Sequence, residues 1–308
     1  MINITVLMST YNGEKYLKEQ LDSIFAQKNV DVKLVVRDDA SSDRTVDILK
    51  EYQKIHENMI IINDRKNLGA CCSFLYLIRT YTQGKYFALA DQDDIWDEDK
   101  LVTAVKVIET VEKKKSNIPL LYYSNLRVVN EKNEFGRMSH TIPHVSKNRY
   151  AALIENLATG CTVVYNRDLA NLAKRAQPEQ YSMHDVWLYR VAKIFGEAIY
   201  DFEPHINYRQ HAENVVGTSM KKVSFRKIDR ELKWMLDTKQ NEWYTDIEIF
   251  YNQFFAMMNE DTQNACLKIL NSKCSIKSKF DLIMDKRYRS NSLYRNIKLI
   301  IKVLLQNA

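Results

Sequence analysis

Apolar positions follow two alternating rhythms through the first half of the chain. Ile2–Met8 is a β-rich run with the look of a strand, whereas Lys15–Gln27 places Tyr16, Leu17, Leu21, Ile24 and Phe25 at helical spacing. Val32–Val36 is a second short apolar run, after which Ser41-Ser42-Asp43 offers a helix cap ahead of Val46, Ile48, Leu49 and Tyr52. Met59–Ile62 predicts a third strand, Cys72–Tyr81 a helix, and Tyr86–Ala90 a fourth strand. Strands alternating with helices of about a dozen residues predict βαβ units, hence an α/β fold with a doubly wound, mostly parallel sheet flanked by helices. Ligands bind beyond the carboxyl ends of such strands. Polar residues collect there: Ser9-Thr10-Tyr11-Asn12-Gly13, Asp38-Asp39, Asn63-Asp64 and Asp91-Gln92-Asp93-Asp94.

Past Ala90 the rhythm loosens. Leu120–Tyr123 and Thr162–Tyr165 predict strands, and Arg167–Arg175 and Asp185–Phe195 predict helices. After Gly217 the pattern is almost wholly helical, over Lys222–Met235, Tyr244–Met258 and Lys279–Leu305. The change near Val216–Ser219 divides the chain into an α/β unit, residues 1–217, and a helical C-terminal region, residues 218–308.

Composition narrows the chemistry. The chain has seven glycines, no two of them two residues apart, and no Gly-Lys-Ser/Thr, so neither the dinucleotide fingerprint nor the P-loop is present. A nucleotide bound here needs another way to offset its phosphate charge. Five cysteines form no C-x-x-C pair and no spacing suited to zinc, which reads as a reducing compartment. The N-terminus has no basic region or cleavage site ahead of its first strand, and no run of eighteen apolar residues follows. A cytoplasmic location is expected. The net charge of +6 is uneven, because residues 273–308 carry nine basic and two acidic residues while the body is close to neutral.

Asp91-Gln92-Asp93-Asp94 is the strongest chemical signal. In extended chain Asp91 and Asp93 point to one side, and three carboxylates this close repel unless a cation joins them. Mg²⁺ or Mn²⁺ accepts one or two carboxylates together with phosphate oxygens, which would neutralise a diphosphate without a glycine-rich loop. A solvated acidic turn that caps the helix starting near Asp97-Glu98-Asp99-Lys100 is the alternative for an isolated D-x-D-D.

The cluster is not isolated. Val6–Glu14, Val35–Thr45, Asn67-Leu68-Gly69 and Ala90-Asp91-Gln92-Asp93-Asp94-Ile95-Trp96 together resemble, in order and separation, the family 2 glycosyltransferases of GT-A fold. The form Asp-Gln-Asp-Asp-Ile-Trp is similar to bacterial rhamnosyltransferases of surface polysaccharide synthesis. Thr159-Gly160-Cys161-Thr162, Met183-His184-Asp185-Val186-Trp187 and Tyr208-Arg209-Gln210-His211 extend the resemblance to about residue 217.

The resemblance implies a set of roles. Thr10, Tyr11, Glu14, Asp39 and Asn67 fall where the family holds the nucleotide, with Asp39 accepting the N3–H that uracil and thymine both offer. An Asx turn or a helix cap is the other reading of Asp38 and Asp39. Asp91 and Asp93 take the D-x-D positions, and Asp93 and Asp94 are implied as the contacts to metal and ribose. Asp185 takes the place of the catalytic base of an inverting, single-displacement transfer, which needs the acceptor hydroxyl proton removed and the leaving diphosphate stabilised. Taken alone, Asp185 also reads as a helix cap.

Around these stand second candidates. His184 is placed to orient the base or the acceptor, or is a surface histidine. Gly160 suits a close backbone approach at the acceptor site. His211 can ligate the metal while Arg209 approaches the diphosphate, or both are structural. Trp187 and Trp96 stack on a sugar face or belong to the core.

Residues 286–305 mix basic and bulky apolar side chains, the pattern of a helix in a membrane interface or of a terminal helix packed on the domain. The expectation is a metal-dependent (Mn²⁺ or Mg²⁺) inverting glycosyltransferase. It takes a dTDP- or UDP-sugar, with L-rhamnose from dTDP-rhamnose as first choice, to a saccharide or lipid-linked saccharide in surface polysaccharide synthesis. It works in the cytoplasm, peripheral at the inner face of the membrane. Nothing resembling a nucleic-acid module accompanies the basic tail. A non-catalytic nucleotide-sugar-binding scaffold subunit, or nucleotidyltransferase or phosphohydrolase chemistry at the same acidic cluster, are the competing readings.

Overall fold

The apolar runs expected as strands pair side by side. The computed structural model describes residues 1–141, 145–177, 183–211 and 242–304. In it β1 (Ile2–Thr10) lies between β2 (Val30–Asp38) and β4 (Tyr86–Ala90), with β3 (Met59–Ile62) outside β2, all parallel. Antiparallel β8 (Val164–Asn166) joins β4 to β6 (Leu120–Val129), and β6 runs parallel to the long β9 (Glu197–Arg209). With β5 (Ile95–Trp96) on β9 and β7 (Phe135–Met138) beside β6, the result is a nine-stranded mixed sheet of order β3-β2-β1-β4-β8-β6-β9-β5.

Alternation along the strands sorts side chains to two layers. Val6, Met8, Leu34, Val36, Ala88 and Ala90 pack with α1 (Leu17–Phe25), α2 (Thr45–Ile55) and α4 (Lys100–Glu112). Leu7, Val35, Phe87 and Leu89 face the other layer, with α3 (Gly69–Thr80), α5 (Arg167–Ala173) and α6 (His184–Phe195). Both faces are covered, so the middles of the central strands, Val6–Met8, Leu34–Val36 and Tyr86–Ala90, are apolar on both sides.

Four further helices belong to this second layer: α7 (Glu242–Phe254), α8 (Glu260–Asn271), α9 (Ile276–Met284) and α10 (Leu293–Leu304). Ile247, Phe250, Phe254, Ile269, Leu282 and Val303 bury in one cluster with Trp187. Trp187 is thereby a core residue and not an acceptor contact. It is 1% exposed, its indole N–H donates to Ala173 O at 2.9 Å, and its ring meets those of Phe250 and Phe254 at 5.9 and 5.7 Å. Trp96 is buried in the opposite layer, with the Lys100 ammonium 3.6 Å from its ring centroid.

The tail departs from its expected pattern. The helix expected over Lys279–Leu305 is two helices, because the Asp285 carboxylate accepts from Arg287 N at 3.0 Å and pairs with Lys268 at 2.7 Å. This starts a short 3-10 turn over Lys286–Tyr288, and the buried Tyr288 anchors it by donating to Ala265 O at 2.8 Å. Of the basic amphipathic segment 286–305, only Leu293–Leu304 is α-helical among the described residues. Periodicity also missed α8, which Asn259 caps by accepting from Thr262 N at 3.0 Å. The helix expected over Lys222–Met235 and the boundary at Val216–Ser219 lie outside the described residues.

Candidate active site

The carboxyl ends of β1, β2 and β4 open into one cavity of about 630 Å³. Its walls bring together ten of the residues singled out in the sequence: Thr10, Tyr11, Asp39, Asn67, Asp91, Asp93, Gly160, His184, Asp185 and His211. They come from segments spread over two hundred residues of sequence.

One wall is hydrogen-bonded throughout. Asp39 N donates to Thr10 O at 2.7 Å, tying the end of β2 to the end of β1. The Asp39 carboxylate pairs with the buried Arg37 and accepts from the backbone N–H of Leu68 (2.7 Å) and Gly69 (2.8 Å), where α3 begins. Arg37 reaches on to Asp64 (2.9 Å), Ser73 Oγ (2.9 Å) and Lys66 O (2.7 Å). Asp38 is turned away from the cavity and serves the loop, accepting from Thr10 Oγ1 at 3.1 Å and Ser41 N at 2.9 Å. The Asx-type reading therefore describes Asp38, and Asp39 alone faces the ligand space. Ala40 follows with φ +66°, a left-handed conformation that a non-glycine residue adopts at a cost of order 1 kcal/mol.

Gln92, which sequence reasoning passed over as the filler of a D-x-D-D motif, locks the same wall. Its amide accepts from Tyr11 N at 2.8 Å and donates to Tyr11 O at 3.0 Å, pairing the β1 loop to the β4 loop as a strand would. A Cβ on Gly13 would stand 2.3 Å from Gln92 Oε1, so a side chain there would push the Gln92 amide away from Tyr11. Tyr11 stays half-exposed at the cavity rim.

The acidic cluster divides. Asp91 and Asp93 line the cavity, and His211 Nε2 lies 2.7 Å from Asp93 Oδ2. Asp94 is fully buried and off the cavity wall; its Oδ1 accepts from Arg209 N at 3.2 Å, and no hydrogen-bond partner reaches Oδ2 among the described residues. The oxygens of Asp91 and Asp94 and the Cys161 sulfur lie within 4.8 Å of one another. Burial first, then the charges of Asp93 and Asp185, push the Asp91 carboxyl up to about 7, and burial raises Asp94 well above the usual range. Burial likewise lowers the Lys100 ammonium behind them to about 7. The raised values mark carboxyls held close together and out of water, which a divalent cation would stabilise in their ionised form. Carboxylate oxygens beside one imidazole suit a divalent ion such as Mg²⁺ or Mn²⁺.

Arg209 does not approach this space. Its guanidinium donates to Asp93 O (2.9 Å) and Glu131 O (2.6 Å), pairs with Glu19 and lies 4.6 Å from the Tyr16 ring centroid, which fixes the backbone of the acidic loop from behind. Glu14 is also off the cavity wall, its Oε2 accepting from Arg44 N at 2.8 Å at the entry to α2.

The opposite wall is formed by the start of α6. Asp185 lies inside the first turn of α6, whose N-cap is Met183 without a side-chain cap bond, so it is not the cap residue; its Oδ1 accepts from Val186 N at 2.7 Å, and the same carboxylate faces the cavity. Burial, opposed by hydrogen bonds that include Val186 N, raises it to about 6. His184 is buried, stacked on Phe74 with centroids 4.1 Å apart, and held neutral by burial, which lowers it to about 3. A Cβ on Gly160 would be 2.8 Å from His184 Nε2, so the close approach expected at Gly160 is made by this imidazole.

The profile of the glycosyl transferase family 2 matches residues 5–173, more than half of the chain. The chain belongs to that family. As a family 2 glycosyltransferase it is similar to the dTDP-rhamnosyl transferase RfbG of Shigella flexneri, at 31% identity over 77% of this chain and 80% of that one. It is also similar to the UDP-Glc:alpha-D-GlcNAc-diphosphoundecaprenol beta-1,3-glucosyltransferase WfgD of Escherichia coli, at 28% identity over 54% of this chain and 62% of that one. Among solved structures, S. aureus TarS 1-349 in complex with UDP-GlcNAc superposes with a TM-score of 0.55 at 18% identity, covering 99% of this chain and 90% of that chain. The mannosyltransferase PcManGT from Pyrobaculum calidifontis, in complex with GDP-Man and Mn²⁺, gives 0.50 at 15% identity over 98% and 86%. The expected GT-A type fold is borne out.

Proposed function

We propose that this glycosyltransferase moves L-rhamnose from dTDP-rhamnose to a hydroxyl of a saccharide, carried on lipid, during surface polysaccharide synthesis, with inversion at the anomeric carbon. The observation that carries the reading is the shared cavity, with Asp185 on one wall and Asp39, Asp91, Asp93 and His211 on the other. Asp39 accepts the thymine N3–H, Tyr11 covers the base, and Thr10 and Asn67 border the nucleoside. Asp185 takes the acceptor proton as the acceptor oxygen bonds to the anomeric carbon. The bond from that carbon to the phosphate oxygen breaks, and dTDP leaves with the electron pair. Asp93 and His211, with Asp91 beside them and Asp94 behind, are the residues to hold Mn²⁺ or Mg²⁺, which supplies charge to the leaving diphosphate.

Similarity to RfbG favours dTDP-rhamnose. A UDP-sugar is the second reading, favoured by the UDP-GlcNAc complex of TarS and by WfgD, since uracil presents the same N3–H to Asp39. Nucleoside diphosphate release across a panel of dTDP- and UDP-sugars, with Mn²⁺ or Mg²⁺ and then with chelator, decides between them. Turnover of dTDP-rhamnose that stops with chelator is the expected result. Preferential turnover of a UDP-sugar overturns the donor, full activity in chelator overturns the metal, and release of pyrophosphate overturns the reaction type. The WfgD acceptor, a diphosphoundecaprenol saccharide, is the kind of molecule that places such an enzyme at the inner membrane surface.

A further inference from the structure

Among the described residues no helix is long and apolar enough to cross a membrane. The C-terminal helices nevertheless carry more apolar surface than their packing uses. In α10, Leu299 and Val303 turn into the core, and a second apolar stripe, Leu293, Ile297 and Leu304, stays exposed, at 76%, 46% and 57%. In α9, Leu282 is the buried residue, and Ile276, Phe280 and Met284, spaced four apart along one face, are 86%, 61% and 55% exposed. The Lys279 ammonium donates to Leu304 O at 3.5 Å, which sets the start of α9 beside the end of α10. Isolated exposed apolar side chains are ordinary, but a stripe of them on each of two adjoining helices is not.

We infer that α9 and α10 together form a surface that docks on an anionic lipid bilayer. Charge complementarity selects this occupant. Residues 273–308 carry nine basic residues against Asp281 and Asp285, and Asp285 is already paired with Lys268 and Arg287. Lys277 and Lys286 are exposed beside the stripes, while Lys298 and Lys302 border a separate cavity of about 370 Å³ under α10. Apolar side chains that enter the headgroup boundary, with lysines drawn to acidic lipid, are the two components of interfacial binding. Half of this surface, α9, lies outside the tail whose composition suggested membrane contact. The inference rests on the reading of a lipid-carried acceptor, and it concerns a face built from other residues than the cavity.

The test is sedimentation of the full chain with vesicles of phosphatidylcholine alone and of phosphatidylcholine mixed with phosphatidylglycerol, with dTDP binding measured in parallel. The expected result is partition onto the mixed vesicles only. Phe280→Ser and Ile297→Ser should each lower that partition about tenfold, and Lys277→Ala about fivefold, while all three bind dTDP as the unchanged protein does. Failure of the unchanged protein to sediment with mixed vesicles overturns the inference. So does undiminished partition of all three variants, or a dimer that Phe280→Ser dissolves, which would assign the stripes to a second copy. Docking with no dTDP binding leaves the inference standing and overturns the donor reading instead.

Discussion

The two walls of the cavity reach rigidity by different means. On the β1, β2 and β4 side, polar groups brace one another: Asp39 has Arg37 and two backbone N–H partners, and Gln92 closes a reciprocal pair with Tyr11. On the α6 side, burial and packing dominate, with Asp185 held besides by Val186 N. His184 is wedged between Phe74 and Gly160, its Nδ1 has no hydrogen-bond partner among the described residues, and Asp185 sits at a raised pKa. A braced wall is suited to holding a nucleotide in one pose, because its groups need not reorganise on binding and Asp39 keeps an acceptor site for the base. A desolvated carboxylate with a pKa near neutrality is suited to accepting a proton. The comparison makes the first wall a binding surface and the second a reacting one, and each can be broken separately.

The largest effect should come from Asp185→Asn, which keeps the shape and removes the proton acceptor. A loss of about 10²–10⁴ in kcat is expected with dTDP affinity unchanged; steady-state kinetics beside calorimetric dTDP titration checks it, and retention of full kcat would remove Asp185 as base. Next is Arg37→Met on the binding wall. Arg37 is wholly buried and Asp39 nearly so, and stripping one partner from such a pair costs about 3–5 kcal/mol. Chemical denaturation should register that loss, and donor KM should rise more than kcat falls.

How much of this was legible in the sequence follows the same division. Strands and helices with clean periodicity, from Ile2 to Ala90, were readable because both sheet faces are buried and the middle of each strand is an apolar stretch, as at Val6–Met8, Leu34–Val36 and Tyr86–Ala90. The ten cavity residues were readable because they sit at strand ends or open a helix, where side-chain type carries the signal. Gln92 was not, since its role depends on the distance to Tyr11, eighty-one residues away in sequence. Trp187 and Arg209 stayed between two readings for a related reason: their residue types suit sugar stacking and phosphate binding equally well as core packing and backbone bracing. Only burial against Phe250 and Phe254, or hydrogen bonds to Asp93 O and Glu131 O, distinguishes the two. The break at Asp285 was hidden because helical spacing continues through a residue whose ion pairs, not its propensity, end the helix.

The third prediction uses pH to separate the walls. A base must be deprotonated, so kcat/KM should fall about tenfold per unit below pH 6, the value to which burial raises Asp185. Stability should move oppositely. A folded-state pKa above the unfolded value of about 3.9 means that the folded protein binds the extra proton, so this group's contribution is present below about pH 4 and lost as pH rises through 6. Metal-free Asp185→Asn should therefore melt above the unchanged protein at pH 8, with the gap closing toward pH 5. A gap that is constant across that range would mean that Asp185 is not desolvated in the folded state.

The smallest expected effect is also the most local. A methyl added at Gly160 meets His184 Nε2 at 2.8 Å, closer than real side chains approach, while Phe74 stacked 4.1 Å away limits where the ring can go. The imidazole must shift by a few tenths of an ångström, and Asp185 is the next residue on the same helical turn. Gly160→Ala should lower kcat about tenfold, in line with the sensitivity of transfer to small misplacement, and leave donor KM unchanged because the nucleotide-facing wall is untouched. The double variant Gly160→Ala/His184→Ala separates steric displacement from a direct role of the imidazole. If His184 only transmits the push, the double variant recovers more activity than Gly160→Ala alone. If the neutral imidazole itself positions the acceptor hydroxyl, the double variant is as slow as His184→Ala. A rise in donor KM for Gly160→Ala would show instead that the two walls are mechanically coupled, and the division between a binding side and a reacting side would have to be given up.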